Sequence, residues 1–139
     1  MNAASEAHAD DPATELALVA ARAADDKLAT DIVVLDVAEA IGICDHFVLV
    51  SAANERQVKA VVDNVEHEVR EQLGLSPRAE EGKDARRWVL LDYGDILVHV
   101  FHAEERAYYR LERLYGDVSR TEWRPEGHPE SSPDADRAG

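Results

Sequence analysis

Between Asn54 and Gly74 the chain carries apolar residues at intervals of three and four: Val58, Val61, Val62, Val65, Val69 and Leu73. Lys59, Asp63, Glu66 and Arg70 fall on the opposite face. That spacing is an α-helix with one buried side. Asn54 and Gln57 have the spacing of a capping box, and Gly74 followed by Pro77 is a stop signal. Valine is a poor helix former in isolation, because its χ1 is restricted against the preceding turn. Such a helix survives only when its stripe packs on something broad and apolar. A sheet is therefore expected.

Four short β-branched runs supply its strands. Asp31–Val37 is almost continuously apolar, which predicts a strand buried on both faces. His46–Ser51 predicts a second. Arg87–Leu91 and Ile96–His102 predict a hairpin, with Asp92-Tyr93-Gly94-Asp95 as its turn. Residues 78–84 fit either a weak edge strand or a loop. A helix from Pro12 to about Lys27 is capped by Asp11, and a closing helix covers 104–115 through Ala107, Tyr108, Leu111, Leu114 and Tyr115. The order of elements predicts an α/β fold with a mixed β-sheet flanked by helices.

The 139 residues suit one domain with short tails. We expect a flexible acidic arm at 1–11, a folded domain at 12–118, and a disordered acidic tail at 119–139 rich in Pro, Ser, Glu and Asp. The net charge of −14 repels nucleic-acid phosphates and attracts basic proteins, so direct specific nucleic-acid recognition is not expected. Cys44 is the single cysteine, which excludes an intrachain disulfide and fits a cytoplasmic protein. Flanked by Ile43 and near Phe47, it reads as a buried, inert thiol. No apolar run reaches the length of a membrane span, and the first residues lack the pattern of a secretion signal.

Tests for catalysis fail on spacing. His99 and His102 point to opposite faces of a strand and cannot share a metal ion without a bulge. Ser51, His46 and Asp45 lack the strained turn that presents a nucleophile. Glycine-rich phosphate loops are absent, as is the Asp-x-Asp that a nucleotidyltransferase needs for two divalent ions. No cofactor is expected, and the chain reads as a binding protein and not an enzyme. A surface remains. Trp88, Leu90 and Asp92 share one face of their strand, and Leu97, His99 and Phe101 share one face of the next. Aromatics crowd into positions 88–115, as they do where protein interfaces gain their energy.

The stretch from Arg87 through Asp92-Tyr93-Gly94-Asp95 to Phe101 resembles the signature of the Iojap family, the ribosomal silencing factors. Asp25–Val37, Asp45–Ser51 with Arg56-Gln57-Val58, and Tyr108–Asp117 resemble other segments of that family. The resemblance spans about residues 14–118. It implies a nucleotidyltransferase-like fold without an active site. It further implies a homodimer when free and, as partner, ribosomal protein fourteen of the large ribosomal subunit. Binding there would block association with the small subunit and repress translation under nutrient limitation. In that setting Trp88, Leu90 and Phe101 are expected as apolar anchors, with Asp92, Asp95 and Glu104 facing basic groups. Tyr93 and Gly94 form the turn, and His99 and Tyr108 complete the contact surface.

Overall fold

The computed structural model describes residues 11–125. Helix α1, Pro12–Asp26, leads into strand β1, Thr30–Asp36, the single-turn helix α2, Ala38–Ile41, and strand β2, His46–Ala52. The long helix α3, Glu55–Leu73, follows, and then strands β3, Ala79–Glu81, β4, Trp88–Asp92, and β5, Ile96–His102. Two short helices, α4 at Ala103–Tyr109 and α5 at Leu111–Leu114, precede the final strand β6, Arg120–Thr121.

The strands form one six-stranded sheet in the order β3-β4-β5-β2-β1-β6. Only the β2–β5 pairing is parallel; β1–β2, β1–β6, β3–β4 and β4–β5 are antiparallel. A parallel neighbour needs a crossover, and α3 with the β3–β4 hairpin supplies it. The alternation of each strand divides the core in two. Val34, Val48, Val50, Val89, Val98 and Val100 meet the alanines of α1 and the valine stripe of α3. Leu35, Phe47, Leu49 and Phe101 lie on the other face, beneath Leu111, Tyr115 and Val118.

Local signals match the folded caps. Asp11 accepts from the Ala13 amide, and the Asn54 side chain accepts from the Gln57 amide at 2.8 Å. The reciprocal arm of the box is displaced: Gln57 accepts from the Ala53 amide and donates to the carbonyls of Lys27 and Leu28. It thereby ties the start of α3 to the end of α1. Gly74 closes α3 at φ 69°.

Three expectations change. Strand β1 is not buried throughout: Val34 and Leu35 are buried, whereas Thr30 and Asp31 are exposed. The strand with both faces covered is β2, because α1 and α3 lie on one face and Leu111, Tyr115 and Val118 on the other, while β5 and β1 flank its edges. The single closing helix is broken at Arg110, which sits at φ 52° as the C-cap of α4. Its side chain donates to the Ala107 carbonyl. The break turns Leu111 and Tyr115 onto the sheet and leaves Tyr108 pointing to solvent. The domain boundary at 118 also falls inside the fold. Beyond it, β6 pairs with β1, and Trp123 is only 4% exposed. The Trp123 indole donates to the Ile32 carbonyl at 3.1 Å, and Arg22 donates to the Trp123 carbonyl at 2.8 Å. Composition hid this, because a two-residue strand and one tryptophan scarcely alter a polar stretch. Of the acidic arm and tail, residues 1–10 and 126–139 lie outside the described residues.

Replacing Trp123 by Ala should lower unfolding free energy by about 3 kcal/mol or more, the usual cost of emptying a buried aromatic site. Urea titration followed by circular dichroism measures it. A surface residue in a disordered tail would give almost no change.

Candidate functional site

The Trp88 face of the hairpin is built by register. Trp88 pairs with Phe101, Leu90 with His99, and Asp92 with Leu97, so six side chains from two strands share one side of the sheet. Phe101 is 0% exposed and forms the floor. The half-buried Trp88 ring lies 4.9 Å from Phe101 and 4.7 Å from Tyr109. Tyr109 contacts Tyr108 edge-on at 4.9 Å, and Tyr108 is 79% exposed. The result is an aromatic ladder that begins in the core and ends in solvent. Such stacking holds large apolar rings rigid, at low entropic cost to a later contact.

His99 fixes the ladder from below. The Trp88 indole donates to His99 Nδ1 at 3.1 Å, which puts the single N–H of the neutral imidazole on Nε2. Nε2 is buried and has no hydrogen-bond partner among the described residues. Burial, and then the nearby charge of Arg106, push the imidazole down to about 4. Arg106 is itself buried, donates to Ser51 Oγ at 2.9 Å and lies over the Phe101 ring. His99 and Phe101 are thus supports of the surface and not parts of it, a correction to their reading as contact residues.

The acidic positions are also sorted by the fold. Arg87 reaches Glu104 at 2.7 Å and Glu105 at 2.8 Å, clamping α4 to the start of β4. Hydrogen bonding and charge from Arg87 hold the Glu104 carboxyl below its usual range. Asp92 accepts from the Gly94 amide at 2.8 Å and pairs with Arg78, so it shapes the turn. Gly94 has φ 88°, the backbone state that the turn requires. Asp95 is exposed, while its carbonyl accepts from the Asp45 amide at 2.7 Å. Tyr93 lies on the other side of the sheet, packed against the α1–α3 core. Burial, and then Glu66 and Glu80, raise its phenol above the usual range. Its hydroxyl is buried, so Tyr93 contributes to the core and not to the aromatic face. Trp88, Leu90, Asp95 and Tyr108 remain at or near the surface, with Glu104 exposed but paired.

A second constellation was not foreseen. His46 Nδ1 lies 3.0 Å from Asp36 Oδ1, and His46 Nε2 lies 3.0 Å from Thr14 Oγ. Ser119 and Thr121 donate their hydroxyls to the same Asp36 carboxylate. A hydroxyl, an imidazole and a carboxylate in line evoke a hydrolase, but Thr14 is only 1% exposed and its hydroxyl is also held by Asp11. The network joins α1, β1, β2 and β6. The pairing of Asp36 with His46 in adjacent strands creates it, and nothing in the linear order revealed that register. Cys44 is buried as expected, and burial pushes its thiol up to about 11. Among the described residues no group of three His, Cys, Asp or Glu side chains assembles as metal ligands.

These features define a class: a small mixed-sheet α/β protein whose distinctive feature is a partly exposed aromatic ladder. Comparison with known proteins then gives the family. Residues 10–138 match the family model described as ribosomal silencing factor during starvation. The chain is similar to the ribosomal silencing factor of Bacillus subtilis, at 42% identity over 100 residues, covering 72% of this chain and 84% of the relative. The chloroplast protein Iojap of Zea mays is 32% identical over 117 residues, covering 84% of this chain and 50% of the relative. A crystal structure from Bacillus halodurans superposes with a TM-score of 0.67 at 39% identity, covering 78% of this chain and 97% of that one. The chain belongs to the ribosomal silencing factor family.

Because the folded His99 binds its proton more weakly than an unfolded histidine does, unfolding takes up protons between about pH 6.5 and pH 4. The stability it contributes is complete above that window and is lost as pH falls through it. Denaturant midpoints should decline across this range. His99→Asn keeps an acceptor for Trp88, removes the titration, and should give a shallower decline.

Proposed function

We propose that this chain docks on the large ribosomal subunit by gripping ribosomal protein fourteen, and that its bulk then keeps the small subunit from joining. The aromatic ladder ending at Tyr108 is the observation that carries the reading. A stiff, partly exposed aromatic group beside Leu90 is what a protein hot spot requires. Carboxylates lie at the other end of the hairpin. Asp95 is exposed at the turn, and a groove of about 740 Å³ beyond it is lined by Asp11, Glu39, Asp45 and Asp117. Such a field draws in a basic ribosomal protein and speeds encounter. Family membership supports ribosome-associated silencing as the outcome.

Nothing needs to be made or broken in this mechanism. Translation falls under nutrient limitation because assembled ribosomes become scarce, and the protein acts in the cytoplasm without catalysis. The free protein forms a homodimer through the same aromatic face, so dimerisation and subunit binding compete. Light scattering with and without large subunits would detect that competition.

Cosedimentation with separated subunits is the deciding experiment. The protein should pellet with large subunits alone and reduce the yield of joined ribosomes. Tyr108→Ala should weaken binding by about 2 kcal/mol, roughly 30-fold, while leaving stability within about 0.5 kcal/mol. Trp88→Ala should weaken binding at least as much but also destabilise the fold, since Trp88 packs on Phe101 and Tyr109. Unchanged affinity in both variants would remove the aromatic ladder from the contact.

A further inference from the structure

At the turn end of the hairpin, the connection from α2 to β2 leaves a large apolar side chain outside the fold. Ile43 is 72% exposed. Its neighbours are fixed. Gly42 closes α2 at φ 73°, and its amide donates to the Ala38 carbonyl at 3.0 Å. Cys44 is buried in the layer that holds Phe47 and Phe101. The Asp45 amide donates to the Asp95 carbonyl at 2.7 Å, and the Val37 amide donates to the Asp45 carbonyl at 3.0 Å. Ile43 therefore stands between two anchored residues, two positions from the hydrogen bond that ties this connection to the start of β5. Its branched Cβ restricts χ1, so little rotamer freedom remains to be lost in a contact.

Continuity distinguishes Ile43 from an apolar residue scattered singly on a surface. Leu97 packs against the layer that contains Cys44. Leu97 and Leu90 are half-buried and share the Trp88 face. Past Trp88 the ladder continues through Tyr109 to the exposed Tyr108. Ile43 and Tyr108 thus stand at opposite ends of one hairpin, whose strand β4 runs about 13 Å from Trp88 to Asp92. A stable interface covers roughly 800 Å² of each partner, a patch about 30 Å across. The aromatic ladder, at one end of the hairpin, fills only part of such a patch. The rim at the Ile43 end is acidic. Glu39, Asp45 and Asp95 are in no ion pair among the described residues, whereas Asp92 is taken by Arg78.

We propose that Ile43 is a second anchor of the docking surface, entering an apolar depression rimmed by lysine or arginine on the same partner that receives Tyr108. The inference rests on the reading of the aromatic ladder as the contact with a basic ribosomal protein. An aliphatic side chain ringed by carboxylates matches an apolar pocket ringed by cations, in both shape and charge. Two anchors at opposite ends of a rigid hairpin also fix the angle at which the chain sits, which one aromatic cluster cannot do. That angle decides whether its bulk stands where the small subunit must come.

The test titrates the full chain against isolated large ribosomal subunits by cosedimentation, with urea midpoints as the folding control. Ile43→Ala should keep its midpoint, because the side chain lies mostly in solvent, and should bind about tenfold more weakly. Ile43→Val keeps the branched Cβ and should lose about threefold or less. Leu28→Ala, at a leucine 78% exposed just after α1, is the control and should bind as the unaltered chain does. Asp45→Asn combined with Asp95→Asn should weaken binding at low salt and flatten its salt dependence. If Ile43→Ala binds normally while Tyr108→Ala is weakened, the second anchor is wrong and the aromatic contact stands. An equal loss in Leu28→Ala would likewise overturn it, and an unchanged salt dependence would remove the cationic rim. An unaltered chain that fails to pellet with large subunits would sink the anchor and the docking reading together.

Discussion

Every residue of β2 is buried, and its backbone must therefore find all its hydrogen bonds inside the protein. It does so by pairing with β1 on one side and β5 on the other, one antiparallel and one parallel. The rest of the architecture follows from that demand. A parallel neighbour cannot be reached by a tight turn, so the chain must climb through α3 and return through the β3–β4 hairpin. That excursion places α3 on one face of the sheet beside α1, where its valine stripe is covered. The other face is left to a shorter, more aromatic cover, formed by the segment after β5.

That asymmetry leaves the two faces of the sheet unequally covered. The α1–α3 face is closed by aliphatic packing and offers mostly helix surface. The opposite face is only partly closed, because the chain breaks at Arg110 before it covers Trp88 completely. Phe101, His99 and Arg106 are committed below, and Trp88 and Tyr109 form the transition to an exposed Tyr108. Rings held by their neighbours in this way would lose little further entropy in the proposed contact. The Asp36–His46–Thr14 network does comparable work at the other end of the strands, tying the last strand to the first helix.

Much of the fold could be read in advance because its signals are local. The stripe from Val58 to Val69, the Asn54 cap and the Gly74 stop are all set within a few residues, and all reappear in α3. The hairpin turn at Gly94 and the placement of Trp88, Leu90 and Asp92 on one face follow from strand alternation. Depth was harder to read. Phe101 and Trp88 share a face and a register, yet one is a floor and the other an edge. What decides between them is the cover supplied by the segment after β5, and the break at Arg110 was not visible in a pattern that continues helically to Tyr115. Tyr93, expected at the contact surface, instead continues the alternation of β4 onto the side of Val89 and Leu91, against the α1–α3 core.

The amino-acid sequence by itself determined the periodicities, caps and turns, and with them a mixed α/β domain of known family, because those features depend on neighbours within one or two turns of chain. Only the tertiary structure decided which side chains come to rest at the surface, since burial depends on what distant segments lay over them. It also joined groups far apart in the chain: Asp36 with Ser119 and Thr121, Arg22 with Trp123, and Ser51 with Arg106. Hydrogen bonds of that kind need strand register and helix placement to be settled first, and no linear spacing encodes them.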